Sequence, residues 1–450
     1  MRKALIKMLE ESRKLTEPRD DGTSETNSII STASYGKVWK RLQPIEINLM
    51  TLRNSEKPLC EVCDRFGKLQ CASCRVTYYC SYKHMEIDEE LHMDICRILK
   101  SLRAPIEFSV FPTVRERMKA QYIMKAYELS RFALIRGRTW MVEGRLDSAL
   151  ASCTASIKAA KLACRDPRET ILPMTIATEC YVKKNKMHKA RRSLAECLQL
   201  EKALDDISDQ CKAAIRHVEG LVSLKTHDYY NSRYCFAEQI YLYTEIYDPD
   251  HITTASGYMN LAHVFHRKGR QLVARSLIRR AVDIWSMYLT GIVEKQLEDT
   301  SLALLSVIPD NIPKTDVLSD YSKFASRTTV FFEKLQDICD RKEAASGLQS
   351  CCIMFRELKD NIVKPEDYIE VEYALACLDF VNNNYSDAKN KFVDIVNKCV
   401  THGLKDKEQP VYQRAVKFRR ESNYRVKAVK RHSMYHTPSR REDSQVPEQD

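Results

Sequence analysis

Five times between residues 149 and 392 the sequence places a small residue four positions before a large apolar residue or a cysteine. Four residues are about one helical turn, so each pair shares a helix face, and the small residue lets a second helix approach. The pairs are Ala149 and Cys153 in EGRLDSALASCTASI, Ala190 and Leu194 in NKMHKARRSLAECL, Ser232 and Phe236 in HDYYNSRYCFAEQI, and Ala274 and Ile278 in KGRQLVARSLIRRA. They recur at spacings of 41, 42 and 42 residues. A fifth pair, Ala388 and Phe392 in NNNYSDAKNKFVDIV, follows a gap of 114 residues that has room for degenerate hairpins. Only 11 of 450 residues are glycine, well below the usual share of about 7%, which argues against folds built on glycine turns or phosphate-cradling loops. The expectation is a mostly helical chain.

Twelve positions before Ser232 and Ala274 stand Gly220 and Ala262, small residues at matching places on the preceding helices. The pattern resembles tetratricopeptide repeats in a variant longer than the family's usual repeat of about 34 residues. That resemblance implies an α-solenoid of helical hairpins over residues 114–400. Each hairpin would bury its apolar face on its neighbours, and the stack would present a long concave surface.

A second feature is local. Of 17 cysteines, six fall between Cys60 and Cys96 and eleven are scattered from Cys153 to Cys399. The scattered ones, such as Cys153, Cys180, Cys197 and Cys377, sit in apolar helical patterns and read as small core residues. The crowded segment offers Cys60-x2-Cys63, Cys71-x2-Cys74, Cys80-x3-His84 and His92-x3-Cys96, which is six sulfurs and two imidazoles. Zinc takes four such donors in a closed tetrahedron, so eight donors in four pairs predict two structural zinc ions. A catalytic zinc would keep one position open to water, and neither set of four does.

Order and spacing, including Tyr79 before Cys80, resemble the MYND zinc finger. In that family the pairs interleave. The resemblance therefore implies that Cys60, Cys63, Cys80 and His84 bind one zinc and Cys71, Cys74, His92 and Cys96 the other. His84 stands where the family usually has cysteine, and imidazole is a competent zinc ligand. Met85 and Glu89 stand where peptide-gripping fingers often carry Gln and Trp, which counts against capture of proline-rich peptides in that mode.

The finger is expected over residues 57–102, ending in DICRILKSLRAPIEF. There Ile95, Ile98, Leu99 and Leu102 would form a face that docks on the following helices, and Pro105 marks the boundary. Residues 1–56 read as a largely disordered arm, with a short amphipathic helix possible from Lys3 to Leu15. The tail, 401–450, carries 12 Lys or Arg against 7 Asp or Glu, part of the chain's net charge of +11. It reads as basic and largely disordered, although YQRAVKFRRESNYRVKAVKRHSMYHTPSRR has the makings of a basic helix. No apolar run reaches the roughly 20 residues that span a bilayer, and Glu10, Glu11 and Arg13 interrupt any signal-peptide core. A cytosolic protein is expected.

No phosphate-binding loop, metalloprotease helix or nucleophile elbow is present in the sequence, and no cofactor turn of a SET/MYND lysine methyltransferase follows the finger. The expectation is a non-enzymatic adaptor whose finger packs on the solenoid and whose concave face holds another protein. A nuclear corepressor-type adaptor is the alternative. The segments SRYCFAEQIYLYTEIYDPDHITTASGYMNLAHVF and AVDIWSMYL resemble a family of ciliary MYND-finger proteins with tetratricopeptide-like repeats. That resemblance implies motile cilia and sperm flagella, the axonemal cytoskeleton, a partner tetratricopeptide protein and inner-arm dynein-associated components, with no membrane or specific nucleic-acid partner. Tyr229, Tyr230, Tyr234, Tyr241, Tyr243 and Tyr247 are expected mostly to fill the seam between hairpins.

Overall fold

A computed structural model describes residues 59–63, 65–103, 111–163, 166–305, 320–359, 362–404 and 410–435. The N-terminal arm, with its expected helix over Lys3 to Leu15, lies outside the described residues, as do residues 436–450. Two short antiparallel strands come first, β1 (Leu69–Gln70) and β2 (Tyr78–Tyr79), with Leu69 opposite Tyr79 and Gln70 opposite Tyr78. Thirteen α-helices follow among the described residues: α1 (Tyr82–Arg103), α2 (Pro112–Val142), α3 (Leu146–Ala163), α4 (Ile171–Lys183), α5 (Met187–Ala203), α6 (Asp209–Lys225), α7 (Tyr229–Ile246), α8 (Ile252–Arg267), α9 (Gln271–Leu305), α10 (Asp320–Glu357), α11 (Pro365–Val381), α12 (Tyr385–Thr401) and α13 (Pro410–Tyr435). They pack as sequence-neighbour pairs, the α-solenoid type of architecture that the repeat spacing predicts.

The five small residues of the sequence pattern all begin the second helix of a hairpin and are fully buried: Ala149, Ala190, Ser232, Ala274 and Ala388. Five positions before each, the turn holds a residue in the left-handed region: Gly144 (φ 80°), Asn185 (56°), His227 (64°), Gly269 (72°) and Asn383 (64°). The next residue's N–H then reaches the carbonyl five positions back along the chain, as in Arg145 to Trp140 at 2.8 Å, Lys186 to Tyr181 at 2.8 Å and Arg270 to Phe265 at 2.9 Å. This satisfies a helix-end carbonyl that would otherwise lack a partner, and it aims the chain back along the first helix. The positions twelve before the small residues are Gly137, Thr178, Gly220, Ala262 and Ala376, so all five hairpins keep a short side chain where their helices cross. In the α6–α7 hairpin the contact is direct, with Ser232 Oγ donating to the Gly220 carbonyl at 2.9 Å.

The chain divides into two compact units, one of Met1–Leu242 with Thr315–Lys342 and one of Tyr243–Lys314 with Glu343–Asp450. In the first, Leu129, Phe132 and Ala133 of α2 pack with Ala155 and Ala159 of α3 and with Phe331, Phe332 and Leu335 of α10. In the second, Tyr373, Phe380 and Phe392 gather around Phe418, with ring centroids 5.8–6.5 Å from it. The 114-residue gap in the pattern is occupied, among the described residues, by two long helices, α9 (35 residues) and α10 (38 residues), rather than by short hairpins. Trp285 of α9, 2% exposed, lies flat against Gly347 of α10, where a Cβ would come within 2.2 Å of the indole.

Two expectations are corrected. The tail read as disordered from residue 401 is helical over Pro410–Tyr435, and Val411, Ala415, Phe418 and Ser422 are buried. These four stand at i, i+4, i+7 and i+11, one apolar face that repays docking despite the charge around it. The tyrosines of α7 do not fill the seam either. Tyr230, Tyr234, Tyr241 and Tyr247 are exposed and Tyr229 and Tyr243 half-buried, because α7 buries the face with Ser232, Cys235, Phe236 and Gln239. The scattered cysteines Cys153, Cys180, Cys197 and Cys377 are buried core residues.

Candidate metal centres and their seat on the first hairpin

The finger's fold follows from its donor pairs. Cys60 and Cys63 flank a turn closed by Cys60 N–H to the Arg65 carbonyl at 2.7 Å, and Cys71 and Cys74 flank a second turn, closed by Arg75 N–H to the Cys71 carbonyl at 3.0 Å. Cys80 follows β2 directly, and α1 carries His84 in its first turn, His92 about two turns on and Cys96 one turn further.

The eight donors fall into two groups of four. Donor atoms of Cys60, Cys63, Cys80 and His84 all lie within 4.8 Å of one another, and so do those of Cys71, Cys74, His92 and Cys96. In the first group Cys63 Sγ is 3.6 Å from Cys80 Sγ, and His84 Nδ1 is 3.3 Å from Cys80 Sγ and 3.5 Å from Cys60 Sγ. In the second, Cys71 Sγ is 3.8 Å from Cys96 Sγ, and His92 Nε2 is 3.2 Å from Cys71 Sγ and 3.8 Å from Cys74 Sγ. A tetrahedron with zinc–sulfur bonds of about 2.3 Å and zinc–nitrogen bonds of about 2.0–2.1 Å has edges of about 3.5–3.8 Å. Both donor sets fit that ion. Each uses sulfur and imidazole, the soft and borderline ligands zinc prefers.

Without a metal the electrostatics divide the donors: Cys60 and Cys74 favour the thiolate, burial raises the thiols of Cys63 and Cys96, and His92 favours the cation, whose proton must leave before it can ligate. Burial pushes the Cys60 thiol up, but hydrogen bonds from His84 and from the backbone at Cys80, Val62 and Cys63 outweigh it and bring the thiol down to about 6. Burial likewise opposes ionisation of Cys74, yet His92 and the backbone of Val76 and Thr77 lower it to about 6. His92, disfavoured as a cation by burial, is raised to about 9 by the sulfurs of Cys74 and Cys71. Thiolate is the metal-binding form of cysteine. Tyr79 holds the second group's wall: its hydroxyl donates to Asp88 Oδ2 at 2.8 Å and its ring meets His92 edge-on at 5.9 Å.

Sequence reasoning found the donors but missed the residues that seat them. Glu61, between Cys60 and Cys63, turns its carboxylate inward to Arg136 of α2, with side chains only 8% and 13% exposed. Arg145, in the α2–α3 turn, donates to the backbone carbonyls of Glu61 and, at 3.2 Å, of Cys60. Both guanidinium groups lie over Trp140, at 4.8 and 5.2 Å from its ring. On the other side, Cys74, Val76 and Leu99 join the apolar cluster of Leu129, Phe132 and Ala133. Of the docking face read from sequence, Leu99 is 3% exposed; the side chains of Ile95, Ile98 and Leu102 lie outside the described residues. A charged residue inside a Cys-x2-Cys turn was the available signal, since such a turn seldom buries a carboxylate without a cation to meet it.

A cysteine- and histidine-rich finger seated on helical hairpins is the kind of arrangement typical of protein-interaction modules. Comparison with known proteins agrees segment by segment. The MYND finger family matches residues 60–96, and the tetratricopeptide repeat family matches residues 212–287, which cover α6 through most of α9's first half. Among solved structures, the crystal structure of BtubC (BKLC) from P. vanneervenii is similar at 14% identity over 68% of this chain and 99% of that one, with a TM-score of 0.29. No described helix is long and apolar enough to cross a membrane.

Proposed function

We propose that this chain is a non-enzymatic protein–protein interaction adaptor with two structural zinc ions, one held by Cys60, Cys63, Cys80 and His84 and the other by Cys71, Cys74, His92 and Cys96. The observation that carries this reading is the pair of closed four-donor groups on a finger that is itself packed on a helical hairpin. Zinc supplies folding energy to such a module, because the donors are brought together only in the folded state. Glu61, Arg136 and Arg145 pass that order to the first hairpin, and the exposed faces of the hairpins are left for protein partners.

The finer reading places the adaptor in the axoneme of motile cilia and sperm flagella, with another tetratricopeptide protein and inner-arm dynein-associated components as partners. Its support is the sequence resemblance to zinc finger MYND domain-containing protein 12 over about Cys60 to about Val400. Fractionation of purified motile cilia by detergent and then high salt, followed by mass spectrometry, tests it. Recovery with the axoneme and release together with dynein-associated proteins supports the ciliary reading. Absence from cilia with enrichment in nuclei replaces it with the corepressor-type adaptor.

A further inference from the structure

We propose that the outer face of α13 is a docking surface for an acidic polypeptide segment, which gives chemistry to one partner beyond the adaptor reading above. Val411, Ala415, Phe418 and Ser422 are buried in the second unit's core, and that fixes the rotation of the helix. The opposite face then carries Lys417, Arg420, Tyr424 and Lys427, with Arg414 on its flank, all exposed. At 1.5 Å per residue these five side chains step along the axis by about 4.5–6 Å and cover about 20 Å. Some exposed cations elsewhere are compensated locally, as in Arg192–Glu196, Lys212–Asp209 and Lys183–Glu179. Here Lys417, Arg420 and Lys427 form no ion pair among the described residues, and Glu421, the helix's own acid within that span, is taken by Arg425 at 3.4 Å. Arg414 at the head of the row senses Glu370 of α11 and is the one partly compensated member.

Charge alone would suit several polyanions. A recognition helix reads duplex DNA with one exposed face while its other face packs on its own domain, so duplex DNA is weighed in the test below. Single-stranded nucleic acid is held through several stacking aromatics, and this face offers Tyr424 alone. An amphipathic helix binds a lipid surface through its apolar face, which here is occupied. Carboxylates at i, i+3 and i+4 of an acidic helix repeat at the same 4.5–6 Å steps as the cations of α13, and matched charges of this kind steer association and fix register.

The test uses the full-length, zinc-loaded protein. Anisotropy titrations against a labelled glutamate-rich helical peptide, a duplex DNA, a single-stranded RNA oligonucleotide and phosphatidylserine vesicles are run at equal ionic strength. The triple variant Lys417→Glu, Arg420→Glu, Lys427→Glu is compared with Arg191→Glu, Lys202→Glu, Lys225→Glu, which makes the same charge change on exposed positions of α5 and α6. Circular dichroism and thermal melts confirm that both variants fold. The expected result is peptide binding that weakens with salt, falls at least about tenfold in the α13 variant and changes less than about threefold in the control. Equal losses in the two variants, no peptide binding by the wild type, or tighter binding of DNA, RNA or vesicles than of peptide would each overturn the proposal.

Discussion

Gly220 lies directly beneath the ring of Phe236: a Cβ at 220 would come within 2.6 Å of the ring's Cε1, and Phe236 is itself fully buried. The close approach of α6 and α7 therefore depends on the absence of one carbon atom.

Replacing Gly220 by alanine should destabilise the protein although alanine is the better helix former by about 1 kcal/mol. Overpacking of a buried aromatic costs about 1–3 kcal/mol, so with the helix gain subtracted the net loss is expected to be about 1 kcal/mol. The same substitution at Gly347, against Trp285, should act in the same direction. Denaturant unfolding followed by circular dichroism reads both. A variant as stable as the wild type would show that the helices separate without penalty.

His227 occupies the left-handed turn position that glycine takes at 144 and 269. For a residue with a side chain this conformation costs about 1–2 kcal/mol, partly returned because glycine is more flexible in the unfolded chain. His227→Gly should raise stability by about 0.5–1 kcal/mol, seen as a shift of the denaturant midpoint to higher concentration. Gly144→Ala, at φ 80°, should lower it.

Breaking the seat of the finger should be costly. Arg136→Ala leaves the Glu61 carboxylate buried without its cation, a situation worth about 3 kcal/mol or more. Hydrogen exchange in the finger and in α2–α3 should rise together in this variant. A rise confined to the finger would mean that the joint does not couple the two.

Metal content has a direct readout. Native mass spectrometry of the wild type should show two zinc ions, and Cys71→Ser or His92→Ala should each remove one and leave the finger more open to proteolysis. Two tightly held ions in either variant would refute the ligand assignment.

Two buried carboxylates predict opposite pH behaviour. Burial opposes ionisation of Glu179, but Lys183 and His217 overcome it and hold the carboxyl well below the ordinary value near 4.5. Its contribution to stability is present above that value and is lost as pH falls towards the lower folded pKa. Burial, with the nearby Asp283, raises Glu370 to about 7 against the pull of Arg279 and Arg414. Its contribution is greatest at acid pH and declines as pH rises from about 4.5 to about 7. Glu179→Gln should therefore lower the melting temperature above pH 5 and matter less in acid, whereas Glu370→Gln should raise it above pH 7. Parallel profiles for the two variants would contradict this assignment.

The hairpins were legible because one spatial requirement, a short side chain where two helices cross, recurs at a fixed interval that the eye can find. Ala149, Ala190, Ser232, Ala274 and Ala388 are all buried where that rule puts them. The eight finger donors were legible because metal geometry restricts both residue type and spacing, and the structure brings them together four and four. The seat of the finger was not, since Glu61, Arg136 and Arg145 are far apart in sequence and answer to no spacing rule. Helix α13 was misread because its charge concealed the apolar face of Val411, Ala415 and Phe418, and composition averages over faces that a helix keeps apart. The tyrosines of α7 were misplaced for the converse reason: a run of aromatics looked like core, while the small and medium residues between them held the inward face.

The left-handed residues at 144, 185, 227, 269 and 383 stand at one constant distance from the small residue that follows each. Between Asn185 and His227, and again between His227 and Gly269, the interval is 42 residues, so the chain is punctuated in phase with its own folding. A chain written in this way can gain or lose one whole interval and still join like to like at the splice, turn meeting turn and crossing meeting crossing. Length is then a heritable variable that can change without renegotiating the contacts on either side, and the reach of the surface offered to partners can be tuned by counting rather than by redesign.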